Sequence, residues 1–362
     1  METQPSSHDT IRVLFVVESF STGVYAIVRD ITCNLNPNTF EVLILHSLRD
    51  DSPQSFVDDF TYQHIHLQHI PMGSKKDYVP AIRKIKQVIR EFNPQSIHLH
   101  SSKAGVLGRI AAKHTACQRI LYSPHGFSFL RTDVSSFARW IFLCIERVIN
   151  WYNPAKIIAV SEGEKVEAKK ITSNCVVINN FIDTTQFDIL SSESKYDVVT
   201  TGRIAPQKNP ILFNTIAESL PSVSFLWVGN GPLRSTLSSP NITITGYVPR
   251  QEAIGHVIHA KIYLQTSLWE GMPVSILEAM AAGKPIVASN IIGNKDLLVH
   301  NKTGILCNPQ NTQEFVDAVK NLLEDKHASL SLGTEACAYA HAVHDISIAI
   351  ARYSAEYAGT TD

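Results

Sequence analysis

The chain has 362 residues, 44% of them hydrophobic and 18% charged, with a formal net charge of −1. That length calls for about two domains, and the composition supplies each with a core of its own. The near-neutral balance gives no support to a general nucleic-acid binder, no run of about 18 apolar residues offers a bilayer span, and the six scattered cysteines include no C-x-x-C pair, so neither a zinc ribbon nor a disulfide framework is indicated.

Taken in chain order, the first stretch, Met1 to Thr10, is polar and lacks the apolar core of a signal peptide. Ile11–Val17 reads as a buried strand, followed by a helix from about Val24, and Phe40–His46 as a second strand. Ser96–His100 and Arg119–Ser123 are two more, with a helix over Lys103–Lys113 between them, and Lys156–Val160 and Cys175–Asn179 follow. The aromatic-rich helix around Phe137–Tyr152, with Trp140 and Trp151, is expected to be core rather than a membrane anchor. The pattern restarts near Lys195: strands at Tyr196–Thr201, Val223–Val228, Asn241–Thr245, Lys261–Thr266 and Pro285–Ser289, with a helix after Asn209. Strands alternating with helices predict parallel sheets with helical crossovers.

These elements divide into a first doubly wound unit over 1–182, a second over 183–344, and a tail over 345–362 whose helix, Asp345–Tyr357, is free to return to the first unit. The junction falls at Ile182–Ser194, where Asp183-Thr-Thr and Ser191-Ser-Glu-Ser194 break the patterning. Most cysteines lie in apolar surroundings, as Cys144 does in Ile-Phe-Leu-Cys-Ile, and are expected to be buried reduced thiols of a cytoplasmic chain.

Ligands of doubly wound sheets sit beyond the carboxyl ends of the strands. The suggestive loops all lie there: Ser21-Thr-Gly23, His125-Gly126, Gly202-Arg203, Gly229-Asn-Gly231, Gly246-Tyr247-Val248 and Glu270-Gly271. Two units presenting such loops imply a site in the cleft between them.

The strongest single stretch is Glu270-Gly271-Met272-Pro273-Val274-Ser-Ile-Leu-Glu278. Pro273 opens a helix, and the free N–H groups within Met272 to Ser275, Pro273 having none, lie where an anion or polar ligand can sit. One glutamate borders that position from the loop, the other from the helix, which suits a sugar joined to a diphosphate. Arg203 and Lys208, in Thr201-Gly-Arg-Ile-Ala-Pro-Gln-Lys208, follow a strand and precede a helix. The guanidinium offers a fork of donors to phosphate oxygens and the lysine a compact charge. Two solvated cations would be the bland alternative; with the Glu270 loop in the same half, diphosphate binding is preferred. Gly229-Asn-Gly231 reads equally as a tight turn or a ligand contact.

In the first unit His125, at a strand end before Gly126, is placed to point into the cleft, for a hydrogen bond to a sugar or phosphate or to polarise a reacting group. His98 and His100 share one strand face, and His64 and His66 repeat the spacing. No third and fourth ligands accompany them, so strand packing is preferred to metal binding. No Asp-x-Asp is present to hold a divalent ion under a nucleotide diphosphate, which leaves neutralisation to Arg and Lys. Lys75, Lys76, Arg83, Lys84, Lys86 and Arg90 cluster around an apolar stripe of Ile82, Ile85, Val88 and Ile89. The leading reading is an amphipathic helix with a wet basic side; the sharper one is contact with anionic lipid or a lipid-linked diphosphate.

Gly202-Arg203 with Lys208, Gly229-Asn-Gly231-Pro232, Gly246-Tyr247-Val248 and Glu270–Glu278, in that order, resemble the family 4 glycosyltransferases of the GT-B fold. The resemblance implies two Rossmann-like domains facing each other across a cleft. It implies metal-independent transfer of a sugar from a nucleotide diphosphate with retention at the anomeric carbon, and no cofactor beyond that donor. Carried over position by position, Arg203 and Lys208 would hold the diphosphate, Glu278 the ribose, Glu270 with the amides of Gly271 to Val274 the donor sugar, and Gly246–Val248 would lie near the base. Gly23 would lie under the phosphates and His125 would face the sugar. Val160-Ser161-Glu162 and Asn179–Asp183 look like the family's cleft-lining and junction segments. Thr22-Gly23 departs from the family, many of whose members have two glycines there.

Val16-Val-Glu-Ser19, His98–Gly105 and Pro124–Phe127 are further similar to bacterial enzymes that build O-antigen or capsule on lipid-linked acceptors. That similarity implies a uridine-linked hexose or N-acetylhexosamine donor and a place at the inner face of the cell membrane. Two other functions are compatible with the motifs: a nucleotide-sugar epimerase or hydrolase of the same fold, and a non-catalytic nucleotide-sugar-binding protein. A nicotinamide-dependent oxidoreductase is disfavoured, because Ser19-Phe-Ser-Thr-Gly23 lacks the G-x-G-x-x-G fingerprint.

Overall fold

The computed structural model describes residues 10–49, 51–53, 56–117, 119–187 and 194–360. The polar start up to residue 9 and the Ser191–Glu193 part of the expected junction lie outside them. In chain order the first half holds β1 (Ile11–Val17), α1 (Thr22–Asn34), β2 (Phe40–His46), β3 (Ile65–His69), α2 (Tyr78–Phe92), β4 (Ser96–His100), α3 (Ser102–Ala112), β5 (Arg119–Ser123), α4 (Ser136–Tyr152), β6 (Lys156–Ala159), α5 (Glu162–Ala168) and β7 (Cys175–Val177). The second holds β8 (Tyr196–Thr201), α6 (Pro210–Ser219), β9 (Phe225–Val228), β10 (Ile242–Gly246), α7 (Arg250–Ile258), β11 (Ala260–Gln265), α8 (Val274–Ala281), β12 (Ile286–Ser289), α9 (Asn294–Leu297), β13 (Ile305–Cys307), α10 (Thr312–Glu324), α11 (Lys326–Val343) and α12 (Ile346–Ala358).

The strands form two sheets, ordered β3-β2-β1-β4-β5-β6-β7 and β10-β9-β8-β11-β12-β13, and every pairing is parallel. Their central strands are buried on both faces because helices cover both, and all of them are largely apolar except β4, which buries Ser96, His98 and His100. In β1, Leu14 and Val16 join the core beneath α2 and α3, whereas Val13, Phe15 and Val17 join the core beneath α1 and α12. The second sheet lies between α6 with α10 on one face and α7, α8 and α11 on the other. In each sheet the strand order reverses once, between β1 and β4 and between β8 and β11. The crevices at these switch points are where open α/β sheets take their ligands.

The last helix packs on the first sheet. The Ser96 hydroxyl donates to the Tyr357 carbonyl (2.8 Å), His98 Nδ1 meets the Tyr357 hydroxyl (2.8 Å), and Lys156 pairs with Glu356 (2.7 Å).

Two expectations need correction. Helix α4 is not core along its aromatic stripe: Phe137, Trp140 and Trp151 are exposed. Its apolar residues occupy nearly the whole circumference, and only Phe142 and Leu143 among the large ones pack inward. The cysteines are free of disulfides, but of the six only Cys307 is fully buried. Strand β4 buries the side chains of both His98 and His100, whereas His64 leans on the Thr32 carbonyl and His66 on Glu41. Among the described residues no helix is long and apolar enough to cross a membrane.

Candidate functional site

At the second switch point the loops after β8 and β11 are knitted together. The Leu268 amide donates to the Gln207 carbonyl (2.8 Å) and the Thr266 hydroxyl to the Lys208 carbonyl (2.8 Å). This brings Lys208 Nζ to 2.8 Å from Glu270 Oε1, and the same carboxylate accepts from Ser267 Oγ (2.8 Å) and Gln207 Nε2 (3.1 Å). Burial pulls the Lys208 pKa down, but the facing Glu270 carboxylate, helped by Tyr263 and Glu278, raises it on balance. The lysine is therefore a fixed positive charge at neutral pH. Arg203, on the same β8 loop, stays half-exposed and reaches toward Asp51 of the first domain (3.8 Å).

Glu278 lies on α8 and is held elsewhere. Its Oε1 accepts from Arg250 Nε (2.9 Å), and the Arg250 guanidinium also stands 3.6 Å from Asp30 on α1. Burial would lower the Arg250 pKa, but Glu278 and then Asp30 raise it. Arg250 opens α7 directly after Gly246-Tyr247-Val248-Pro249, so it ties the Gly246–Val248 loop to the second glutamate. Sequence reasoning missed Arg250; its place immediately after that loop was the available signal.

Gly202, Gly229 and Gly231 pack against one another's loops. A Cβ on Gly229 would stand 2.2 Å from the Gly202 carbonyl oxygen, and one on Gly231 2.3 Å from that of Ile204. Backbone packing alone requires glycine at both.

The first domain closes over the Glu270 loop. The amide of Gly126 approaches so near that a Cβ on Gly271 would stand 2.9 Å from it. Asn180 Nδ2 donates to the Met272 carbonyl (2.6 Å), Ser161 Oγ reaches the Gly271 carbonyl (3.4 Å), and the Gly163 amide donates to Asp296 (3.1 Å). The Gly23 Cβ position lies 3.8 Å from Val274, so the start of α1 faces the start of α8. There the first-turn amides have no partner within their own helix. His125, Gly126, Gly271, Lys208 and Glu270 thus come together, with Gly23, Met272, Pro273 and Val274 beside them. Glu278 and the loop carrying Tyr247 and Val248 form a second group around Arg250.

His125 takes a left-handed backbone (φ 54°), a conformation uncommon for residues other than glycine and worth reading as functional. Its Nε2 meets His100 Nδ1 at 2.8 Å, and His98 Nε2 meets Ser123 Oγ at 2.9 Å. Desolvation by burial lowers the His125 pKa to about 4, and holds His98 and His100 well below the ordinary histidine value. All three are neutral at pH 7. Glu164 was also missed. Its carboxylate accepts from the Gly126 amide (2.6 Å) and the Val160 amide (2.8 Å), while Ser161 caps α5 by accepting from the Glu164 amide. Burial raises its pKa to about 7 against the pull of those two amides. Ser161-Glu-Gly-Glu164 has the Ser-x-x-Glu form of a helix start, which announces the helix but not the reach to the His125 loop. Among the described residues no three His, Cys, Asp or Glu side chains gather as a group that could hold a metal ion.

Residues 22–186 match the model of glycosyltransferase family 4, and residues 195–325 that of the group 1 glycosyl transferases. The chain is 32% identical over 262 residues to the Escherichia coli UDP-Gal:α-D-GlcNAc-diphosphoundecaprenol α-1,3-galactosyltransferase, an alignment covering 64% of this chain and 66% of that relative, a little under two thirds. It is 25% identical over 256 residues to the putative teichuronic acid biosynthesis glycosyltransferase TuaC of Bacillus subtilis, across 66% of this chain and 63% of the relative. In fold it is similar to Anabaena HepE, solved with UDP and glucose (TM-score 0.80, 20% identity, 96% of this chain and 100% of that one). The sucrose-phosphate synthase of Thermosynechococcus elongatus is as similar (TM-score 0.81, 17% identity, 97% and 99%).

Proposed function

The chain belongs to the group 1 and family 4 glycosyltransferases, and from that premise we propose a transfer reaction for it. It moves a hexose or N-acetylhexosamine from a nucleoside-diphosphate sugar, UDP-linked, to a sugar acceptor carried on a lipid diphosphate. The anomeric configuration is retained, and no metal ion or cofactor is needed. The pathway is assembly of a surface polysaccharide of the O-antigen or capsule kind at the inner face of the cell membrane, with the basic helix α2 near the lipid. The observation that carries the reading is the Lys208–Glu270 pair at the second switch point, roofed by the His125-Gly126 turn. The Escherichia coli relative, named for a UDP-galactose donor and a diphosphoundecaprenol acceptor, supports the choice of donor and acceptor.

The chemistry follows from the charges. As the bond from the anomeric carbon to the β-phosphate oxygen breaks, its electron pair leaves with the nucleoside diphosphate and negative charge builds on that phosphate. Lys208 is already fixed and positive, Arg203 is free enough to fold onto the phosphate, and the first-turn amides of α8 add their dipoles. The acceptor hydroxyl attacks from the face the phosphate has just left, and its proton passes to the leaving phosphate oxygen. Same-face attack gives retention without a covalent enzyme intermediate, so Glu270 keeps its place among three donors. The neutral His125 borders the sugar, where an imidazole can bond hydroxyl groups without drawing an ion pair.

A thermal-shift panel of UDP, GDP, ADP and CMP with EDTA tests the donor site. A ligand at 100 times its Kd stabilises the native state by about 2.7 kcal/mol, and a shift with UDP that survives EDTA is expected. No shift with any nucleotide would overturn the donor assignment.

A further inference from the structure

Helix α4 turns an apolar stripe to the outside. Trp151 is 83% exposed, Phe137 69%, Trp140 59% and Val148 58%, with Ile141 and Ile145 beside them. At about 100° per residue these positions cover roughly 140° of the helix circumference. The helix cannot roll to hide them, because its other side is pinned. Glu146 is buried and takes Arg109 (2.7 Å) and the Tyr122 hydroxyl (2.7 Å), while Phe142 and Leu143 enter the core.

The surroundings of the stripe are cationic. Arg147 donates to the Lys170 carbonyl, and Lys113 donates to the Tyr152 carbonyl and lies over the Tyr152 ring. The acids on α4 and next to it are already matched, Asp133 with Arg131, Glu146 with Arg109 and Glu167 with Lys170, and on α2 the exposed Glu91 is outnumbered by its cations. Lys113, Arg147 and Lys169 form no ion pair among the described residues. Helix α3 touches both α2 and α4, so the exposed Arg83 and Arg90 of α2 belong to the same outer layer.

We propose that α4 is the seat of this protein on a membrane. Its stripe enters the boundary between headgroups and acyl chains of an anionic bilayer, and the surrounding cations, those of α2 included, meet the lipid phosphates. A broad apolar face with tryptophans at both ends and basic flanks is the pattern of a helix lying in the interface plane. A seam to one helix of a second copy needs only the narrower a/d stripe and gains nothing from like charges facing each other. The choice of a bilayer also rests on the transferase reading, since an acceptor anchored in lipid has to be met at the lipid surface.

The test uses the full chain and vesicles containing neither donor nor acceptor. Sedimentation with phosphatidylglycerol–phosphatidylethanolamine vesicles should show binding that weakens in high salt and is at least tenfold weaker on phosphatidylcholine. The surface triple variant Trp140→Gln, Ile145→Gln, Trp151→Gln should lose at least tenfold in vesicle binding and keep the parent's circular dichroism and UDP thermal shift. A parent that ignores anionic vesicles, or a triple variant that binds them like the parent, overturns the proposal. So does a parent that light scattering shows to be a dimer and the variant a monomer, since a second copy then covers the face. Sugar transfer to a water-soluble acceptor analogue is measured separately. Its loss counts against the transferase reading and leaves the lipid result standing.

Discussion

The two walls of the cleft are built from different chemistry. The second domain meets it with charges in matched pairs, Lys208 with Glu270 and Arg250 with Glu278. The first domain sends Asp51 and Asp30 towards Arg203 and Arg250, but opposite the Glu270 loop it presents neutral groups: His125 backed by His100, and the Gly126 amide held by Glu164. Paired charges can be redirected onto a diphosphate without desolvating a bare ion. Neutral imidazoles and amides suit hydroxyl groups, which carry no charge to match. The contrast is consistent with the proposed reaction, in which the charged wall would take the diphosphate and the His125 turn would border the sugar.

The sharpest way to break that contrast is to remove a charge from the second wall. Lys208→Ala should lower kcat about 10²–10³-fold, the usual cost of deleting one preorganised donor to a developing anion. It leaves Glu270 buried without its cation, so the denaturation midpoint should fall as well. Arg203→Ala, on a half-exposed side chain, should lose activity with little change in stability. Equal activity in either variant would place the diphosphate elsewhere.

Next in size is the contact between the walls. Gly271→Ala places a Cβ 2.9 Å from the Gly126 amide nitrogen and 3.1 Å from the His125 carbonyl carbon. Neither is a side chain that can swing aside. The loops must separate, at about 1–3 kcal/mol of stability, and kcat/KM should drop roughly 10–100-fold, the scale of a 1 Å misplacement. Unchanged kinetics would mean that the two loops do not act together.

Arg250→Gln probes the second pair. It frees Glu278, and donor KM should rise about tenfold with kcat nearly unchanged, the mark of lost uniform binding. A fall in kcat with constant KM would instead put Arg250 at the reacting centre.

The smallest effect is on pH dependence. Unfolded histidines take up a proton near 6.5, whereas His46 and His125 resist it until about 4 and His98 and His100 until well below 6.5. Over that interval the unfolded chain binds more protons, so stability falls as pH drops. Glu164 opposes this. It holds its proton up to about 7 in the fold and releases it near 4.5 when unfolded, so its contribution falls as pH rises. Four histidines outnumber one carboxyl, and urea titrations should show stability declining from pH 6.5 towards 4.5. His125→Asn should reduce that slope by at most about 1.4 kcal/mol per pH unit. A flat profile would contradict a neutral first wall.

Much of the fold was legible in the chain. β1, β2, β4, β5 and β8 begin and end where the sequence predicts them; in β1, β2 and β8 the apolar run itself marks the strand, because strands buried on both faces admit few polar residues. Ligand loops were legible for a related reason: glycine and proline mark the carboxyl ends where a strand must turn. The outward stripe of α4 was not, since helical periodicity shows that a face is apolar without showing what covers it. Nor were Arg250 and Glu164, which act on residues 28 and 38 positions away.

The sequence by itself determined the two parallel sheets and the loops at their strand ends, because hydrophobic patterning and turn residues are local properties that any window of the chain displays, while the ordered motifs from Gly202 to Glu278 carried the resemblance to a family. The tertiary structure alone decided which cation holds which glutamate, that His125 rests on His100, and that α4 faces outward. Each of these depends on strands and helices distant in the chain arriving side by side, and on burial, which no single segment carries within itself.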